Sequence, residues 1–144
     1  MRGFGFILPV AAAGLALTTT VTHVQAQRVS QGSFRPAEVS VTGGFELLKQ
    51  GDQQLLRLSR DFSTSTQAPD LFLTLGKSSR PLSNSKPPAY PLQKGSYTLI
   101  APLKASQGAQ TYEIPHSIDM NQYGSVIIWC RKFNATMAWA ALTF

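Results

Sequence analysis

The chain has 144 residues, with 43% hydrophobic and 14% charged side chains, 13 Lys and Arg against 7 Asp and Glu, and one cysteine. That apolar content excludes a wholly disordered chain, the length is one domain's worth, and a lone thiol excludes an intramolecular disulfide framework. The basic residues are spread singly, with no basic helix and no stripe of cations interleaved with aromatics, so nucleic acid is not an expected partner.

The N-terminus has three parts. Met1-Arg2 is a short positive segment, Phe4 to Leu17 is apolar apart from Gly and Pro9, and Val24-Gln25-Ala26 offers the modest side chains that a signal peptidase reads. Thr18-Thr19-Thr20 ends the apolar run short of the ~20 residues that a spanning helix needs. Residues 1–26 are therefore read as a signal peptide cleaved before Gln27, which leaves 118 residues and, with only Arg2 lost from the basic set, a charge of 12 minus 7, or +5. No later stretch is long and apolar enough for a transmembrane helix, so the mature chain is expected in the periplasm or outside the cell.

Period-two alternation dominates the rest, as in half-buried strands. Val39 to Leu47 alternates straight through Gly43-Gly44, which predicts one strand with a glycine bend. Gly51-Asp52 then closes a hairpin onto Leu55 to Phe62. In that register Leu47 faces Leu56, Phe45 faces Leu58 and Val41 faces Phe62, while Glu46 meets Arg57 on the other side. Leu71 to Leu75 is a strand. Residues 77–95 form a long loop holding Pro81, Pro87, Pro88 and Pro91. Strands follow at Tyr97 to Ala101 and Gln110 to Ile114, an irregular turn at Ser117 to Tyr123, and two last strands at Ser125 to Phe133 and Thr136 to Thr143. Seven or eight short strands divided by turn residues predict an all-β fold, an antiparallel β-sandwich with the jelly roll among its arrangements.

Cys130 is the residue that composition singles out. In the predicted strand Lys132 shares its face and Arg131 points away, and a nearby cation favours thiolate if the sulfur is reachable. The competing reading makes Val126, Ile128 and Cys130 one buried face with Cys as a small apolar filler. A tight turn at Asn134-Ala135 would set Cys130 opposite Trp139. Trp129 and Trp139 would then be either an aromatic wall beside a redox group or flat cofactor, or packing. After cleavage His116 and Cys130 are the only His and Cys, too few for a closed zinc site, and no metal site is expected. A nucleophile pair of the two would need distant segments to meet. Asn134-Ala135-Thr136 matches the N-glycosylation pattern at a predicted turn, a match that chance also produces.

The segment Ser125-Val-Ile-Ile-Trp129-Cys130-Arg131-Lys132-Phe133, together with Gly32-Ser33-Phe34, Leu56 to Phe62, Pro69-Asp70-Leu71, Leu103-Lys104-Ala105-Ser106-Gln107-Gly108 and Tyr112-Glu113-Ile114-Pro115, resembles the DM13 domain family over residues 32–144. The resemblance implies an extracellular module of an electron-transfer system. Its characteristic cysteine, here Cys130, would act as a bare thiol or hold a prosthetic group such as haem, with Trp129 and Trp139 as candidate neighbours of that group. The partner would be another redox protein or a small molecule. The alternative is a noncatalytic binding or adhesion sandwich of the cell envelope, in which residues 77–95 make the contacts and Cys130 is structural.

Overall fold

The computed structural model describes residues 2–144. Residues 2–26 are exposed and form neither helix nor strand, and no helix among the described residues is long and apolar enough to cross a membrane. From Gln27 onward the chain is an antiparallel β-sandwich. One sheet has four strands: β1 (Gln27–Ser33), β3 (Gly44–Gln50), β4 (Gln53–Leu58) and β7 (Gln110–Ile114), side by side in that order. The other has five, in the order β2 (Arg35–Pro36), β9 (Ala135–Ala141), β8 (Ser125–Cys130), β5 (Leu71–Gly76) and β6 (Tyr97–Pro102). Among the described residues there is one 3-10 turn, Met120–Gln122, with Asp119 as its cap.

The sheets meet through the alternate side chains that the sequence pattern marks as apolar. Phe45, Leu47, Leu56, Leu58, Tyr112 and Ile114 from the first sheet pack against Leu73, Leu75, Val126, Ile128, Ala138 and Ala140 from the second. The β3–β4 hairpin has the register that the apolar pairs require: Phe45 opposite Leu58, Leu47 opposite Leu56 and Glu46 opposite Arg57, closed at Gly51-Asp52. The predicted Glu46–Arg57 ion pair does not form. Glu46 Oε1 instead accepts from Arg28 Nη1 of β1 at 2.9 Å.

The long first strand is a second correction. Gly43 takes φ +85°, so the ladder starts at Gly44 and residues before it leave the sheet, apart from one bridge between Thr42 and Ser63. A Cβ on Gly43 would lie 2.6 Å from the Phe62 backbone, so both the torsion and the space call for glycine. Val41 and Phe62 still pack in the core, but not as ladder partners. β1 and β2 have no counterpart in the sequence reading. Ser30 is the one buried residue of β1, whose place depends on backbone pairing to β3 rather than on apolar alternation.

The outer face of the five-stranded sheet is covered too. Ile127, Trp129 and Leu92 form a second buried cluster, joined by Leu82, Tyr97, Leu99 and Trp139. The proline-rich segment 77–95 thus lies across the sheet as a strap. Its hold on β9 is polar: Thr136 N donates to Ala89 O at 2.9 Å, and Thr136 Oγ1 to Tyr90 O at 2.7 Å.

Candidate functional site

Cys130 is the last residue of β8, opposite Leu71, the first of β5, and Ala135, the first of β9. Alternation along β8 turns its side chain inward, into the cluster that holds Ile128, Ala135 and Met137, and only 1% of the residue is exposed. β8 stops there because residues 131–134 turn the chain back, with Asn134 at φ 44° and its N–H donating to Arg131 O. Two expectations fail for this reason. Lys132 lies on an exposed turn with Nζ 5.5 Å from the centre of the Phe133 ring, so it shares no strand face with the thiol. Trp139 pairs with Ile127 instead of Cys130, since the turn is longer than a two-residue one and β9 has a register shift beside Ile128 and Trp129.

The two tryptophans lie on the far side of the sheet from the sulfur. Trp129 is buried under the strap, 4.8 Å between ring centres from Tyr97. Trp139 is half-buried, with the Arg35 guanidinium 5.3 Å from its ring centre. They pack the strap; no aromatic wall faces Cys130. His116 is exposed in the turn after β7 and makes no hydrogen bond to the thiol.

Two motifs meet just beyond Cys130. Arg131 N donates to Asp70 O at 3.0 Å, and its guanidinium reaches both carboxylate oxygens of Asp70, Nε to Oδ2 at 3.0 Å and Nη2 to Oδ1 at 3.3 Å. The guanidinium carbon also lies 4.6 Å from the centre of the Phe72 ring. This clasp ties the end of β8 to the start of β5 at the surface, where such a pair contributes about 0–1 kcal/mol. Beside it, residues 65, 66 and 68–71 and residues 102, 103, 105 and 106 line a depression of about 240 Å³. That is below the ~300 Å³ at which small-molecule sites begin.

The Asn134 side chain is the keystone of the other flank. Oδ1 accepts from Leu92 N at 2.8 Å and from Trp129 Nε1 at 3.0 Å, while Nδ2 donates to Leu92 O at 3.1 Å. Asn is suited to the left-handed backbone here and both ends of its amide are bonded, so the glycosylation pattern at 134–136 serves strap docking. Sequence reasoning missed this role. The signal was present, an Asn next to a turn and one residue type able to bond a strap both ways, but the strap's position was not.

A further polar group is buried in the core. Tyr112 OH donates to Gln110 Oε1 at 2.6 Å and accepts from Lys104 N at 2.8 Å, and Gln110 Nε2 donates to Ala105 O at 2.7 Å. These bonds fasten the 103–108 segment to β7. Burial raises the phenol's pKa above its ordinary value near 10, the bond from the Lys104 N–H working weakly against that shift.

The residues around Cys130 do not fit a haem. The sulfur lies in a packed interior, lines neither the depression beside the clasp nor a larger open groove between residues 31–34, 41–46 and 57–61, and a macrocycle would have to displace core side chains. Among the described residues no group of three His, Cys, Asp or Glu side chains could hold a metal ion.

Residues 33–142 match the model of the family described as electron transfer DM13. The chain belongs to the DM13 family. The match runs from the end of β1 to just beyond β9, so the DM13 domain is the sandwich itself, including the Asp70–Arg131 clasp, the strap and Cys130. Comparison with the curated proteins and with the solved structures gives no match.

Proposed function

We propose that this DM13 domain is exported, with residues 1–26 removed, and transfers electrons through the bare thiol of Cys130. The observation that carries the reading is the family match over residues 33–142, which spans the chain's only thiol. Burial dictates the form of the chemistry. A sulfur that is 1% exposed reacts only when its surroundings open, and local opening is cheapest at the ends of strands. Cys130 ends β8, and next to it in the chain are the turn at 131–134, exposed at 131–133, and the surface clasp of Asp70 with Arg131. In the opened state the Cys130 thiolate would attack a disulfide of a redox partner. A sulfur–sulfur bond to Cys130 forms, the partner's own bond breaks, and its second sulfur leaves as a thiolate, so electrons balance without an outside reductant.

The same burial favours a second reading, a binding module of the envelope in which Cys130 only fills the core. Labelling kinetics separate the two. With a disulfide reagent at neutral pH, the redox reading expects native labelling well above the rate set by global unfolding, and faster still when Asp70→Ala opens the clasp. Labelling only at the global unfolding rate, unchanged by Asp70→Ala, leaves the filler reading.

A further inference from the structure

Gln27 stands at the junction of two independent boundaries. The signal-peptide pattern ends at Ala26, and the ordered sheet begins at Gln27, the first residue of β1, while residues 2–26 are exposed and outside any strand. Cleavage there would make a glutamine the first residue of the mature chain.

We infer that Gln27 is a modification site, at which the new N-terminus closes to a pyroglutamyl lactam. The inference rests on export with cleavage before Gln27. The chemistry is intramolecular. The α-amine nitrogen attacks Cδ of its own side-chain amide, a five-membered ring forms, the Cδ–NH2 bond breaks, and ammonia leaves carrying a proton from the attacking nitrogen. No oxidant or co-reactant is needed. An α-amino group titrates at about 7.7–8.0, so part of it is free amine at neutral pH.

The sheet permits the reaction and gives it a consequence. Gln27 is exposed and its side-chain amide makes no hydrogen bond, so nothing holds that group away from the backbone nitrogen. Across the ladder Gln27 faces Lys49, also exposed, and Arg28 follows it in the chain. Glu46, the one acid on β1 and β3, is already bonded to Arg28. A free α-ammonium would therefore stand directly opposite a lysine, a like-charge pairing that weakens a strand pair. Lactam formation removes that charge and keeps an N–H and the Gln27 carbonyl. The edge strand that few buried side chains hold becomes better anchored at its first residue.

Intact-mass measurement of the protein collected from the exported fraction of its native host tests this. The expected mass is that of residues 27–144 less one ammonia, with N-terminal sequencing blocked until a pyroglutamyl peptidase is added. The Gln27→Ala protein should show its full mass and an open N-terminus, and a lower midpoint of chemical denaturation than the cyclised protein, with the gap narrowed by Lys49→Gln. The full mass of 27–144 overturns the lactam and leaves export standing, as does a start at any other residue. A chain retaining residues 1–26 overturns both.

Discussion

Replacing Asn134 by alanine tests how the strap is held. The substitution removes the hydrogen bonds from Leu92 N and Trp129 Nε1 and the one to Leu92 O. At about 1 kcal/mol net for each bond, the loss is ~3 kcal/mol. Alanine must also sit at φ 44°, which costs ~1 kcal/mol more. The expected destabilisation is thus about 4 kcal/mol, a large part of the ~5–15 kcal/mol that holds a typical domain. Asn134→Gly separates the two contributions, because it loses the same bonds while accepting the torsion, and should be ~1 kcal/mol less damaging than alanine. Asn134→Asp keeps the acceptor for Leu92 N and Trp129 Nε1 but sets an oxygen against Leu92 O, and should fall between wild type and alanine. Urea denaturation followed by tryptophan fluorescence reads all three, since Trp129 is buried and bonded to the same side chain. Limited proteolysis should cut within residues 77–95 sooner in the alanine variant. If Asn134→Ala lies within ~0.5 kcal/mol of wild type, water replaces these bonds at no loss and the keystone argument is refuted.

Substitutions at four other positions probe the packed interior. Cys130→Ser buries a hydroxyl in an apolar cluster and should destabilise by about 1–3 kcal/mol in chemical denaturation, with Cys130→Ala milder; equal stability of the serine variant would mean the site is wetter than the packing implies. Trp129→Ala should cost ~3–5 kcal/mol and Trp139→Ala clearly less, because Trp129 is 4% exposed and Trp139 is half-buried; the reverse order in the same assay would contradict the placement of the strap. Tyr112→Phe should lose ~1–3 kcal/mol, chiefly through the unpaired Lys104 N–H, since Gln110 Oε1 keeps its bond from Ala105 N. It should also flatten the alkaline limb. With the folded phenol's pKa raised, its contribution is complete below the unfolded value near 10 and is lost as pH climbs from there through the folded value, so wild type should weaken more steeply than the variant above pH ~10.

The sequence by itself determined the sandwich and much of its pairing. Alternation at Phe45, Leu47, Leu56 and Leu58 leaves one register in which these four side chains face the same way, because a slip by one residue turns the whole set outward. It also picked out Cys130, the chain's sole thiol, and the spaced motifs of its family. It did not reveal β1, where polar residues are held by backbone hydrogen bonds that leave no hydrophobic period. The tertiary structure alone decided what surrounds the sulfur. Whether Trp139 or Ala135 faces Cys130 depends on the length of one turn, in which Asn134 adopts a left-handed torsion while bonding Leu92, 42 residues away in the chain. A contact of that range is invisible to local periodicity, yet the turn it braces ends β8 at the cysteine and carries Lys132 off the strand, and with the register shift in β9 Trp139 comes to face Ile127 instead of the thiol.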